Sequence, residues 1–218
     1  MHRHFDEELT ALRENLLTMG ALVESMITQS ARLLDAYAVE GAAKIEANES
    51  EVNSLHSTID DLCIRLLVLR QPAAADMRLI AVALKINGDL ERIGDQGINM
   101  LERARQLDRP GERPRIDLGP LIHVARAMVA DSLDAFIKKD VALARRVLED
   151  EKSADSLRDQ AVEALLAEAE KRSYSFTHIV QQILVTHHLE RVADHATNIA
   201  EDVIYFVQGL DIRHHRMD

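Results

Sequence analysis

Two runs of this chain carry carboxylates four residues apart in matching surroundings: Asp89-Leu-Glu91-Arg-Ile-Gly-Asp95-Gln-Gly-Ile-Asn99 and His188-Leu-Glu190-Arg-Val-Ala-Asp194-His-Ala-Thr-Asn198. At about 100° per residue on a helix, His187, Glu190, Asp194, Asn198 and Glu201 share one stripe, and Glu91, Asp95, Asn99 and Glu102 repeat it. Upstream of each run lies a second acidic stripe, Glu49, Asn53, His56 and Asp60 in the first case and Glu151 and Asp155 in the other. Carboxylates that converge without matching cations repel one another and hold their protons more tightly, unless a hard cation is supplied. Oxygen-rich ligation suits Mg²⁺, Ca²⁺, Mn²⁺ or iron, and His187 or His56 would add nitrogen for a transition metal. The candidate metal ligands are Glu49, Asn53, Glu91, Asp95, Asn99, Glu151, Asp155, His187, Glu190, Asp194, Asn198 and Glu201.

The plainer reading of the same stripes is a solvated anionic face that docks partners, with Arg92 and Arg191 neutralising part of its charge through local pairs. His188 and His195 fall on another stripe and read as structural or surface residues rather than ligands. The Asp211 to His215 run, with His214 and His215, reads as a solvated tail, and the single cysteine, Cys63, as a small core residue. No Ser/His/Asp arrangement, Gly-rich phosphate loop or inward Glu-x-x-His pair marks the motif helices, so a non-enzymatic protein is expected. A metal-independent helical scaffold and a carboxylate-bridged metalloenzyme are the rival readings.

The elements that must position these stripes are helices. Opposite Glu190 lies an apolar arc of Leu189, Val192, Ala196, Ile199 and Val203, which places the acids at the rim or on the surface of a bundle. Aromatic residues make up 3% of the 218, and Gly and Pro number only 8 and 4, which leaves little material for strands and turns. The expected fold is all-α, with helices over 5–39, 42–70, 73–107, 117–138, 141–171 and 176–208. Pro110, Pro114 and Pro120 mark the one clear break. Two tandem three-helix bundles follow, at 1–108 and 121–218, with a linker at 109–120. The halves repeat each other, Glu190 following Glu91 by 99 residues and Glu151 following Glu49 by 102. Tight turns near Pro72 and near Arg172 would then set Glu49 level with Asp95, Asn53 with Glu91, Glu151 with Asp194, and Asp155 with Glu190.

A net charge of −11 argues against nucleic-acid binding and favours cations and basic partner surfaces. One cysteine excludes an internal disulfide and a cysteine zinc site. The charged N-terminus and the absence of a long apolar run lead us to expect a cytoplasmic protein that reaches a membrane only through partners.

At these residues the sequence resembles the PhoU family, the phosphate-responsive accessory proteins of bacteria. The resemblance runs through Met19-Gly20, Arg70-Gln71-Pro72 with Asp76-Met-Arg78-Leu, Leu90-Glu91-Arg92-Ile-Gly94-Asp95, Leu189-Glu190-Arg191-Val-Ala-Asp194, Asn198-Ile and Tyr205-Phe-Val-Gln-Gly209. It implies a pair of three-helix bundles whose Glu/Asp-x-x-x-Asp motifs hold metal, as iron or zinc clusters in some members and as magnesium or manganese in others. By position the motif residues are Glu49, Glu91, Asp95, Glu151, Asp155, Glu190 and Asp194, while Asn53 departs from the acidic form. The resemblance further implies a negative regulator of the phosphate regulon that couples the ATPase subunit of the phosphate ABC transporter to a sensor histidine kinase, peripheral at the inner membrane. A homodimer is expected.

Overall fold

The structure, a computed structural model, describes residues 2–35, 37–70, 72–108, 116–171 and 174–212. Six helices occur in them: α1 (His2–Asp35), α2 (Val39–Arg70), α3 (Ala74–Leu107), α4 (Gly119–Lys138), α5 (Val141–Glu170) and α6 (Phe176–Gln208). Residues 109–115 of the expected linker lie outside the described residues, as do His214 and His215. Gly119 and Pro120 open α4 rather than belonging to the linker, because a proline in the first turn surrenders an N–H that would have had no helical partner.

The boundary between α1 and α2 is corrected as well, α1 ending at Asp35 and not at 39. The break between α1 and α2 was expected at Val39 to Gly41, yet α2 begins at Val39 and runs through Gly41. Gly41 is a packing glycine and not a chain breaker: a Cβ there would stand 3.0 Å from Leu33 Cδ2 of the preceding helix. The α4–α5 corner is tight by contrast. Lys139 turns the chain with φ of 55°, and the Asp140 side chain accepts a hydrogen bond from the Leu143 backbone N–H at 3.0 Å, capping α5.

Within each half the three helices all touch one another, and the halves join through two contacts, α3 on α6 and α1 on α4. Helices α2 and α5 are left on the outer flanks. A continuous apolar core runs across the join, from Leu12, Leu16 and Met26 of α1 through Ile86, Leu90 and Ile93 of α3 to Leu189, Val192 and Ile199 of α6. Gly97 lets α3 press on α1, since a Cβ at that position would lie 3.0 Å from Met26 Cβ. The Ser30 hydroxyl donates to the Gly97 carbonyl at 2.9 Å and locks that crossing.

Helices α3 and α6 run antiparallel, as their polar contacts show. Arg103 Nη1 donates to Gln181 Oε1 at 3.1 Å, His188 meets Gln96 Oε1 at 3.0 Å, His195 meets Asp89 Oδ1 at 2.9 Å, and Lys85 Nζ donates to Asp202 Oδ1 at 2.7 Å. Asp89 and His188 occupy equivalent places in the repeat, and so do Gln96 and His195. The two central contacts are therefore one contact repeated with the partners exchanged, and the repeat is arranged about a local two-fold axis at this join. His188 and His195 are structural, as their separate stripe suggested. The partner each one takes across the bundles is set by tertiary packing.

Candidate functional site

Each acidic stripe lies where the helical wheel put it, on the rim of its bundle. Glu49, Glu91, Asp95, Asn99, Glu151, Asp155, Glu190 and Glu201 are half-buried, while Asn53, His187, Asp194 and Asn198 are exposed. The residues between them are core: Leu90, Ile93, Leu189 and Val192 are buried. A helix with an apolar arc on one side keeps its carboxylates off that arc, at its edge or on the solvent face.

The second stripe pair converges. Partial burial raises the Glu151 carboxyl above its ordinary value, and Asp155, Asp194 and Glu201 push it further the same way. Asp194, exposed as a residue, has its carboxyl partly desolvated by the side chains around it, which raises it likewise, with Glu190 and Asp155 adding to it. Glu151 and Asp155 of α5 and Asp194 of α6 are thus near enough to feel one another's charge, in keeping with the pairing expected from the turn. Inside this cluster stands a cation that the sequence reading did not single out. Arg158 Nη1 lies 2.8 Å from Glu190 Oε1, its Nη2 is 3.8 Å from Asp155 and its Nε is 2.9 Å from Asp159. Arg158 takes the neutralising part expected of Arg191, which is exposed and makes no ion pair among the described residues. Its signal was present in the sequence. Arg158 sits three residues after Asp155 and seven after Glu151, on the same stripe, at the repeat position of His56. On the opposite edge of Glu190, His187 Nδ1 approaches Oε2 at 3.1 Å.

The first stripe pair is arranged differently. Asn53 Nδ2 donates to Glu49 Oε1 at 2.7 Å, which ties those two groups to each other along α2. Arg92 lies 3.6 Å from Glu91, as expected. His56 is held by Asp60 at 3.5 Å and approaches the Asn87 carbonyl at 3.4 Å, while Asn87 Nδ2 donates to Asp60 Oδ1 and to the His56 carbonyl, both at 2.9 Å. Asn87 is fully buried and levels α2 with α3. Among the described residues, no three His, Cys, Asp or Glu side chains stand close enough to share one metal ion. The second pair offers only carboxylate oxygens, the donor type of a hard cation, and two of its carboxyls, Glu151 and Asp194, are raised first by desolvation and then by the neighbouring acids. Bringing them around one ion would require Arg158 to yield Glu190.

Between the two stripe pairs opens a cavity of about 620 Å³, lined by His56 of α2, by Lys85, Gly88, Asp89, Glu91 and Arg92 of α3, and by His195, Asn198, Glu201 and Asp202 of α6. Glu91 belongs to the first stripe pair and Glu201 to the second, so both open on this groove. Cys63 is buried, and burial with the Asp60 charge beside it pushes the thiol up to about 12, as suits a core residue. No helix of the described residues is long and apolar enough to cross a membrane.

Comparison with known proteins bears on both halves. The family model described as PhoU domain matches residues 16–104 and again 120–203. The chain is 37% identical over 214 residues to the phosphate-specific transport system accessory protein PhoU homolog of Pseudomonas putida, covering 97% of this chain and 84% of that protein. The crystal structure of PhoU from Pseudomonas aeruginosa superposes with a TM-score of 0.88 at 36% identity, over 94% of this chain and 100% of that one. The phosphate transport system regulatory protein PhoU from Streptococcus pneumoniae does so at 0.87 and 26% identity, over 95% and 98%.

Proposed function

The chain belongs to the PhoU family, and we propose that it is a non-enzymatic accessory protein of phosphate uptake and a negative regulator of phosphate-starvation signalling. In this reading it works at the cytoplasmic face of the membrane as a homodimer, and contacts the ATPase subunit of the phosphate transporter and a sensor histidine kinase. The observation that carries the reading is the family match in both halves, over nearly the whole chain. The net charge of −11 supports basic partner surfaces, reached by steering that weakens with salt. Deletion of the gene should switch on phosphate-starvation genes in phosphate-rich medium. Genes that stay silent after deletion would refute the regulatory assignment.

The carboxylate clusters supply the second part of the proposal. Glu151, Asp155, Glu190 and Asp194 would hold a divalent or trivalent cation, Mg²⁺, Mn²⁺, Zn²⁺ or iron, with His187 as a nitrogen donor and Asn198 and Glu201 at the margin. Glu49, Asn53, Glu91, Asp95 and Asn99 would form the corresponding first site with less charge. A bound cation would supply the positive charge that the half-buried carboxyls lack, stiffening the face on which partners dock. Metal content after purification without a polyhistidine tag tests this directly. Arg158 favours a second reading, in which the guanidinium already serves as the cation and the face docks partners without metal. Glu91→Ala with Glu190→Ala separates the two: loss of repression with no metal in the wild-type protein leaves docking alone.

A further inference from the structure

The hairpin joining α2 to α3 ends in an apolar tip. Ile64, Val68 and Leu69 at the end of α2 are 55%, 69% and 68% exposed, and Met77 at the start of α3 is 50% exposed. Ala73, Ala74 and Ala75 are exposed between them. Arg65 and Arg78 flank the patch and are exposed as well. The guanidinium of Arg78 lies over the end of α6, where a Cβ on Gly209 would be 3.8 Å from its Nη1.

The internal repeat supplies a control at the α5–α6 turn. There Leu166 stands in the place of Ile64 and Phe176 in the place of Met77, 52% and 76% exposed. Glu170 and Lys171, however, replace Val68 and Leu69, and Ala167 and Thr177 replace the two arginines. Because α3 and α6 are antiparallel, the two tips lie at opposite ends of the molecule. The second half therefore folds with charges at positions where the first half keeps Val68 and Leu69, so the fold does not require apolar side chains there. Exposed apolar residues gathered at one place mark a contact surface.

The shape and charge of the tip select its occupant. A helical hairpin end is convex and needs a groove. Arg65 and Arg78 beside an apolar centre call for carboxylates on the groove's rim. A bilayer surface is flat and presents no groove to a convex tip. A second copy of the chain offers the cavity described above, whose side chains are all polar and so do not complement Val68 or Leu69. We propose that the α2–α3 tip inserts into an apolar, carboxylate-rimmed groove on a cytoplasmic subunit of the phosphate transporter, an inference that rests on the transport reading above.

The test measures binding of the full-length chain to the purified phosphate transporter in nanodiscs. Val68→Glu, Met77→Glu and Arg65→Glu should each weaken binding about tenfold or more, as substitutions at an interface centre do. Leu166→Glu, at the opposite tip, should leave it unchanged, and circular dichroism should show all four variants folded. Wild-type affinity in the three tip variants overturns the tip assignment and leaves the transport reading standing. Failure of the wild-type chain to bind the transporter overturns both. Binding to anionic vesicles without transporter, lost in Val68→Glu, assigns the tip to lipid and overturns the proposal. So does self-association in sedimentation that the same substitution abolishes, which assigns the tip to a second copy.

Discussion

Single residues decide how the acidic face behaves. Glu151 and Asp194 have folded-state pKa values raised above their unfolded ones, so the native protein binds protons more readily than the unfolded chain. By linkage these two groups cost stability once pH exceeds the raised values and relieve it as pH falls back toward the ordinary carboxyl range. In metal-free protein at neutral pH, Asp194→Asn should therefore raise the melting temperature, because it removes one of the repelling charges. In the presence of Mn²⁺ or Mg²⁺ the order should reverse, with the wild type gaining by mass action what the variant no longer can. A melting temperature that ignores both the cation and the substitution would leave Arg158 as the sole counter-charge. His188 obeys the opposite rule. Burial first, and then the Arg103, Arg191 and His187 charges, hold its imidazole down to about 4, so it is neutral near pH 7 and its Nδ1–H donates to Gln96 Oε1. The unfolded chain takes up a proton near pH 6.5 that the native one refuses, so stability is complete above that value and drains away as pH falls toward 4. His188→Gln should flatten this part of the stability profile when urea midpoints are followed from pH 7 to pH 4.

At the scale of one helix, α3 shows how one segment serves two faces. Glu91 and Asp95 point to the rim, whereas Gly94 and Gly97, interleaved with them, are buried against α1 and α2. The glycines in this motif are there for helix contact, and the corresponding α6 positions carry Ala193 and Ala196, also buried. The consequence is measurable within α3 itself. At Gly88 a Cβ would meet nothing within 4 Å, so Gly88→Ala should stabilise by about 0.5–1 kcal/mol, through lost freedom in the unfolded chain. At Gly97 the same change should be net destabilising, since overpacking against Met26 costs about 1–3 kcal/mol. Chemical denaturation of the two variants reads both signs. The cap at α5 adds a local test, for Asp140→Ala should cost about 1 kcal/mol.

The whole molecule is two related bundles sharing one core. Each half has its own apolar stripes, which on sequence grounds suggests that residues 1–108 would fold alone. The structure sets a condition on that expectation, because α1 and α3 bury part of their apolar surface against α4 and α6. A fragment of residues 1–108 should be helical by circular dichroism, yet less stable than the full chain and adhesive through its uncovered α1–α3 face. Added fragment 116–218 should bind it and restore a cooperative transition. Two fragments that stay monomeric and indifferent to each other would show that the join contributes little.

Helix number, most helix ends, the duplication and the placing of the carboxylates at a bundle rim were all legible in the residues, because each is written in local periodicity. Apolar side chains every three or four residues define a face, a proline or glycine interrupts it, and a repeated spacing of acids reports a repeated stripe. Gly41 misled for the same reason: glycine reads locally as a break, and only Leu33 packed upon it reveals contact. What tertiary structure alone decided is which stripes meet across helices. Glu151 and Asp194 crowd each other, the Arg158 guanidinium reaches across to Glu190, and His188 and His195 cross to the other bundle. Those outcomes depend on rotations of whole helices about contacts far apart in the chain, where a shift of one residue turns a side chain by about 100°. No local pattern encodes such a rotation, and it is the packed core, from Leu12 to Ile199, that selects it.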